Sequence, residues 1–425
     1  METTPEWMLD WYRRSLDLLH NASKQSVIDP TRILAPDSVF YDQLNQSDFK
    51  DLRVAVLKLN GGLGTSMGCS GPKSLIEIDQ QGTTFMDRII QRFNNDECAS
   101  DLIFLNSFNT SNQTTSFIQS NYPDLHWVEL FQHSFTKIDE SSLLPLDSSE
   151  TDRFNPPGHG SVYFDLYHSG VLHKLLKKGI DYVFISNADN LAATLDSKIM
   201  AYLSEFKPPF LIELTPKTNS DIKGGTVVKC DDHSVLWEIA QVDPQYQTLF
   251  QDQPYFNTNN IWVSVPVLLQ TIETGLLNLD LIQNRKVMNG QSIIQLEYAM
   301  GSAIRSFNKP ISMIVPRQRF FPVKKTSDLL LLLSDYAYWN ESGYLQWDET
   351  KQIDISLDTP FDKVADFFKY FKQIPSIKNA SSIHLKGPIL FDEKVSLQNH
   401  VSLTSSESGL QSISSFLSNS VKTLD

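Results

Sequence analysis

The stretch VAVLKLNGGLGTSMGCSGPK, Val54 to Lys73, decides the fold of this chain. Its first six residues, Val54–Leu59, form a short run in which only Lys58 is polar, the pattern of a strand buried on both faces. Gly61, Gly62, Gly64, Gly68 and Gly71 follow within eleven residues, and such a loop lets backbone N–H groups converge on phosphate oxygens. It is neither a GxxxxGK[ST] nor a GxGxxG motif. Pro72 and Lys73 place a cation where the loop ends. The reading is a strand that delivers a phosphate-binding loop. Cys69, inside the loop, has no evident nucleophilic role and is expected to pack.

Around this stretch, apolar runs alternate with helical periodicity. Strands are expected at Val54–Leu59, Leu102–Asn106, Tyr182–Ser186, Phe210–Leu214, Ile261–Val265 and Ile311–Val315. Helices are expected at Thr84–Phe93, Gly170–Lys178, Ser197–Phe206, Ser292–Ala303 and Ser327–Tyr338. Alternation of this kind implies an α/β domain with crossover helices, in which ligands gather at the carboxyl ends of the strands. Before it, residues 1–50 read as a helical segment with breaks around 21–31 and 35–38; Met8, Trp11, Leu16 and Leu19 make its first part amphipathic.

The C-terminal part changes period. Ile383, Ile389, Val395 and Val401 stand six apart, and Leu385, Phe391, Leu397 and Leu403 repeat the step. An apolar-x-apolar-x-x-x hexad is the pattern of a β-helix, with two ordinary hairpins as the alternative. Beyond Gly409, Leu410, Ile413, Phe416, Leu417, Val421 and Leu424 suit a closing helix.

The chain has 425 residues, with 36 Lys+Arg against 50 Asp+Glu, a formal charge of −14. That length allows two or three domains. The acidic balance argues against nucleic acid or an anionic membrane as a partner. Three scattered cysteines, Cys69, Cys98 and Cys230, support neither a disulfide framework nor a zinc site, and point to a cytoplasmic setting. The N-terminus lacks the pattern of a signal peptide. The densest apolar run, Leu329–Leu333, is far short of the ~20 residues a membrane helix needs.

Several further stretches, in order, extend the pattern: LNSFNT (105–110), PPGHG (156–160), YVFISNADNL (182–191), TPKTNSDIKGGT (215–226), EIAQV (238–242), FNTNNIWV (256–263) and FPVKKTSDLLL (321–331). Together with the glycine loop they resemble the UTP–glucose-1-phosphate uridylyltransferase family (UDP-glucose pyrophosphorylase) of the eukaryotic type, from about residue 50 to the hexads. The resemblance implies a Rossmann-like α/β nucleotidyltransferase domain with a mixed, mostly parallel sheet, plus a small C-terminal left-handed β-helix. The expected division is a helical segment at 1–50, the catalytic domain at 51–340 and the C-terminal domain at 341–425.

It also implies site residues. Leu59, Asn60, Gly61, Gly62, Gly64, Gln132 and Gly160 would hold the nucleotide, with Gln132 on the uracil edge. His159, Asn187, Gly225, Phe256, Asn257 and Asn259 would hold the sugar phosphate. Lys73 and Lys324 would be catalytic, and Asp189 would bind Mg²⁺. From the residues alone Asp189 is equally an N-cap, the FNTNN run also reads as a turn before the strand, and Lys324–Lys325 as a solvated pair, the usual state of two adjacent lysines. Two positions depart from the family: Ser161 stands where an acidic residue is common, and Lys325 where a small one is.

The implied substrates are UTP and glucose 1-phosphate, giving UDP-glucose and pyrophosphate. A phosphate monoester has a second pKa near ~6, so no general base is needed and catalysis reduces to alignment and charge neutralisation. The alternatives are another sugar 1-phosphate (galactose or N-acetylglucosamine) and an inactive binding or regulatory subunit. The protein could be a monomer or a homo-oligomer assembled through the C-terminal domain.

Overall fold

The computed structural model describes residues 4–21, 28, 30–45, 49, 51–79, 81–147, 152–218, 221, 224–405 and 409–414. The chain forms two compact units. The first comprises Met1–Gly61, Asp96–Asn187 and Leu195–Pro316; the second comprises Gly62–Asn95, Ala188–Thr194 and Arg317–Asp425.

The first unit is built on an eight-stranded sheet. Its strands are β1 (Ser38–Phe40), β2 (Val54–Leu59), β3 (Ala99–Ser107), β4 (Trp127–Gln132), β5 (Tyr182–Asn187), β6 (Phe210–Pro216), β7 (Tyr255–Ser264) and β8 (Ile311–Ile314). The order is β1-β8-β6-β7-β5-β2-β3-β4, with β7 alone antiparallel to its neighbours β6 and β5. The sheet is therefore mixed and mostly parallel, as expected. Val54, Ala55 and Leu57 are wholly buried, because a central parallel strand is covered on both faces. Lys58 is tolerated there because its ammonium donates to Ser186 Oγ at 2.8 Å beside the Phe184 ring.

The N-terminal helix, Glu6–His20, buries Met8 and Leu19 and packs Trp11 and Leu16 on the core of this unit. The short edge strand β1 was not expected, since three residues carry too little periodicity to read.

Four sequence expectations need correction, the last of them in the C-terminal segment. The helix proposed at Ser292–Ala303 is a hairpin, Leu281–Met288 paired with Gln291–Tyr298, followed by a 3₁₀ stretch at Met300–Ser306. Asn289 and Gly290, both at positive φ, form its turn, and the Asn-Gly dipeptide favours the hairpin over the helix. The helix proposed at Ser327–Tyr338 runs only from Thr326 to Leu333; Ala337–Trp339 then pairs with Leu345–Trp347. The strand proposed to begin at Ile261 begins at Tyr255, so the Asn-rich run is strand rather than a turn. Asn259 sits at φ 59°, a conformation Asn tolerates, so the run accommodates a register shift without ending the strand.

In the second unit the hexads form parallel strands. Asp354–Leu357 pairs with Ser376–Lys386, which pairs with Ser396–Thr404. Ile383 lies beside Val401 and Leu385 beside Leu403, one turn of three hexads further along the chain. Ile383, Leu385, Ile389, Phe391, Leu397 and Leu403 are buried, while Val395 and Val401 are half-buried. The hairpin alternative is excluded, because hairpins would pair antiparallel. Of the closing helix, Gln411–Ser412 is instead a strand parallel to Ile389–Leu390, Ile413 and Ser414 are helical, and Phe416, Leu417, Val421 and Leu424 lie outside the described residues.

Among the described residues, no helix is long and apolar enough to cross a membrane.

Candidate active site

In the first unit, parallel pairing brings the carboxyl ends of β2, β3, β4 and β5 to one edge. Leu59 lies beside both Leu105 and Asn187, and Ser107 beside Gln132. Asn60 is locked just past β2: its N–H donates to Leu105 O at 2.8 Å, and its side-chain amide donates to Asn106 Oδ1 and Thr114 Oγ1. Gly61 follows, and a Cβ there would lie 2.9 Å from Gln132 Oε1, so glycine is what lets this backbone approach the amide. Gln132 Nε2 donates to Gly158 O and to Ser161 Oγ, both at 2.9 Å. Leu59, Asn60, Gly61, Gln132 and the 158–161 loop thus form one constellation.

The loop is packed backbone to backbone. Gly158 has φ 80°, and a Cβ on it would fall 2.5 Å from Tyr298 O and 2.6 Å from Tyr298 N. Gly160 meets the same residue, with a Cβ contact of 2.9 Å to Tyr298 O. Between them, His159 Nδ1 accepts the Met300 N–H at 2.9 Å. That bond fixes the neutral tautomer with its proton on Nε2. Burial lowers the imidazole pKa to about 4, so the ring offers a neutral N–H donor at physiological pH.

The remaining sugar-site candidates gather at the start of β7. The Phe256 ring packs on Gly224, where a Cβ would sit 2.5 Å from it, and is 5% exposed. Gly225 opens a strand and lies opposite Glu238, whose carboxylate a Cβ would meet at 2.8 Å. Asn257 and Asn259 orient each other, Asn257 Nδ2 donating to Asn259 Oδ1 at 2.9 Å and Asn259 N–H to Asn257 Oδ1 at 3.0 Å. Asn187 ends β5 two residues beyond Ile185, and Asn259 stands two residues before Ile261, its antiparallel partner. Glu213 supports this corner from within β6: fully buried, it accepts from Asn260 Nδ2 and Trp262 Nε1. Sequence reasoning missed it, because an acid within an apolar strand reads as an exposed position.

The second unit holds the charged groups. Its glycine loop closes on itself through Lys73 N–H to Gly62 O, Gly64 N–H to Gly71 O and a Leu63–Pro72 bridge. Cys69 packs against Gly64 as expected, and burial raises its thiol pKa. Lys73 Nζ then pairs with Asp189 Oδ2 at 2.8 Å, both side chains mostly buried. Asp189 Oδ1 is buried without a hydrogen-bond partner. Backbone bonds staple the Asp189 loop to the segment before Lys324: Val323 N–H donates to Asp189 O at 3.0 Å, Phe321 N–H donates to Asn190 Oδ1, and Asn190 bridges Pro322. The N–H groups of Lys324 and Lys325 both donate to Asp328 Oδ2, at 2.7 and 2.8 Å. Burial raises the Asp328 pKa, opposed by those two bonds and by the charges of Lys73 and Lys324. Lys73, Asp189, Lys324 and Asp328 are thus one cluster. Asp328 was visible beforehand only as an acid in a helix's first turn.

An unpartnered buried carboxylate oxygen next to a phosphate-type loop fits a hard divalent cation, which takes one protein carboxylate and completes its shell with phosphates and water. Among the described residues no cluster of three or more His, Cys, Asp or Glu forms a preassembled metal cage.

Comparison with known proteins settles the family. The family model described as UTP–glucose-1-phosphate uridylyltransferase matches residues 11–398. The chain belongs to this family. The enzyme of that name from Solanum tuberosum is 38% identical over 401 residues, covering 88% of this chain and 84% of that protein. The one from Encephalitozoon cuniculi is also 38% identical, over 84% of this chain and 74% of that protein. Among solved structures, a chain of the Leishmania major UDP-glucose pyrophosphorylase superposes with a TM-score of 0.85 at 32% identity, covering 96% of this chain and 93% of that one. A point mutant of the same enzyme, in complex with UDP-glucose, gives a TM-score of 0.82 at 33% identity, covering 93% of this chain and 91% of that one. The uridylyltransferase family thus accounts for both the mixed sheet and the order of the motifs.

Proposed function

We propose that this chain makes UDP-glucose and pyrophosphate from UTP and glucose 1-phosphate, with the residue roles given below. A phosphate oxygen of the sugar phosphate attacks the α-phosphorus of UTP, a P–O bond to that oxygen forms, and the bond to the β-phosphate oxygen breaks as pyrophosphate leaves. The attacking oxygen is already largely deprotonated at neutral pH, so no proton has to be removed.

Leu59, Asn60, Gly61, Gln132 and Gly160 receive the nucleoside, and Gly62 and Gly64 offer loop amides to its phosphates. The neutral His159, with Asn187, Gly225, Phe256, Asn257 and Asn259, receives glucose 1-phosphate. Lys73 neutralises charge developing at the α-phosphate, and Lys324 holds the sugar phosphate for in-line attack. Mg²⁺ bound to Asp189 Oδ1 would supply Lewis-acid neutralisation of the phosphate charge. The observation that carries this reading is the Lys73–Asp189 pair, which presents one fixed cation and leaves one carboxylate oxygen spare.

On the same reading, 51–340 is the catalytic domain, preceded by the 1–50 segment, and 341–425 holds a left-handed β-helical coil. The protein works in the cytoplasm, as a monomer or through C-terminal self-assembly. Its partners are small anions rather than nucleic acid or membrane.

The test is pyrophosphate release by the purified chain with UTP, Mg²⁺ and a panel of glucose, galactose and N-acetylglucosamine 1-phosphates. Turnover highest with glucose 1-phosphate is expected; UTP binding without turnover across the panel would overturn the proposal.

A further inference from the structure

A buried carboxyl behind the 158–161 loop has no part in the chemistry above. Asp165 lies on the helix Val162–His168, one turn beyond Ser161, and is 3% exposed. Neither of its oxygens meets a partner within ordinary hydrogen-bond geometry, and the Ser161 hydroxyl is the polar group near enough to lower its pKa. A buried carboxyl left in this state costs stability, and its retention calls for a role.

Its neighbours form a directional chain. A glutamine amide has a donating and an accepting end, and which end faces a ligand depends on what holds the other. Here Nε2 of Gln132 is held by two acceptors, Gly158 O and Ser161 Oγ. Oε1 is left on the side of Gly61. Gly158 O can only accept, but a serine hydroxyl can turn and donate. If it did, it would reward the opposite amide orientation and present N–H₂ where Oε1 now stands. Ser161 keeps accepting from Gln132 only if its own proton has another acceptor to go to. Gln132, Ser161 and Asp165 are all buried, so water is a poor substitute.

We propose that Asp165 is a positioning residue for base recognition: as a buried acceptor one helical turn from Ser161, it draws the hydroxyl proton away from Gln132 and so favours the amide orientation with Oε1 towards the ligand. This rests on the reading that Gln132 faces the uracil edge. Uracil offers N3–H, a donor that matches an accepting Oε1, whereas cytosine has a bare N3 acceptor there. The oriented amide therefore selects UTP against CTP, and the carboxyl works from a full turn away. Burial suits the role, because a carboxyl held neutral can accept through its carbonyl oxygen without placing a charge beneath the base.

The experiment is steady-state kinetics with UTP and with CTP, at saturating glucose 1-phosphate, for the wild type, Asp165→Leu and Asp165→Asn. Loss of one such hydrogen bond corresponds to about a tenfold effect. Asp165→Leu, which removes the acceptor but keeps the bulk, is expected to raise KM for UTP about tenfold and to erode the UTP:CTP ratio of kcat/KM by a similar factor, with kcat little changed. Asp165→Asn keeps a carbonyl acceptor and should restore both. Equal kinetics for Leu and wild type would overturn the inference, as would equal impairment of Leu and Asn or a loss confined to kcat. Should Asp165→Leu fail to fold, Ser161→Ala tests the same chain, and an unchanged UTP:CTP ratio in that variant overturns it equally. Failure of the wild type to turn over UTP would instead strike the proposed function, so the two failures are distinguishable.

Discussion

Lys73 Nζ lies 2.8 Å from Asp189 Oδ2, and these two residues come from loops more than a hundred residues apart in sequence. The lysine closes the glycine loop, and the aspartate is held by Val323 N–H on its main-chain oxygen. One carboxylate oxygen remains without a partner, which is what the proposed pairing of phosphate and cation at this site requires. Lys73→Ala should lower kcat/KM by about two to three orders of magnitude, the usual effect of removing one group that stabilises transition-state charge. Because both side chains are mostly buried, the variant leaves the Asp189 carboxylate unpaired, so a lowered melting temperature is expected beside the kinetic loss, and activity is compared at a temperature where the variant is folded. Near-normal turnover would remove Lys73 from the mechanism.

The glycines of the site divide sharply in what they tolerate. A Cβ on Gly158 would fall 2.5 Å from Tyr298 O at a φ of 80°, whereas one on Gly62 would meet nothing within 4 Å. Gly158→Ala is therefore expected to destabilise the fold by a few kcal/mol, through backbone strain and displacement of the hairpin strand that carries Tyr298. Gly62→Ala should leave stability unchanged. Urea denaturation of the two variants makes the comparison, and equal stabilities would show that the loop relaxes freely.

The sequence carried most of the central sheet because strands buried on both faces are nearly continuous apolar runs, as in Val54–Leu59 and Tyr182–Asn187. The helix Ser197–Phe206 was legible to its bounds, and the structure adds Asp196 as its cap. Strand β7 was half hidden because Asn257, Asn259 and Asn260 suggest a turn, yet here Asn257 and Asn259 bond each other and Asn260 donates to the buried Glu213. The hairpin to Tyr298 was lost because Ile293, Ile294, Leu296 and Tyr298 fit a helical stripe nearly as well as alternation. Glu213 and Asp165 were illegible for one shared reason. An acid is normally exposed, and only tertiary packing shows which acids are buried.

The hexad segment offers a test of core packing separate from catalysis. Phe391 is wholly buried and packs its ring 4.7 Å from Phe371 and 6.4 Å from Phe361. Phe391→Ala should cost about 3–5 kcal/mol. A substitution at the exposed His400, one strand further on, should be near neutral beyond its contact with Ser382. Denaturant midpoints decide it, and a silent Phe391→Ala would mean that the aromatic stack is not a cohesive core.

Asp165 also gives the fold a pH signature of defined sign. Burial raises its carboxyl pKa to about 8, against about 4 in an unfolded chain. Between those values the folded protein holds a proton that the unfolded chain has released, so stability falls as pH rises through the window and levels off above it. His159 acts in the opposite sense: its imidazole pKa is lowered to about 4, so its contribution is lost as pH falls below the ordinary histidine value. Asp165→Asn removes the first effect and keeps the second. The melting temperature of the wild type, measured relative to Asp165→Asn, should therefore be most favourable at about pH 4 and decline steadily towards pH 8. A difference that stays constant over that range would mean that the carboxyl titrates normally, and that its burial is relieved by a partner or by water.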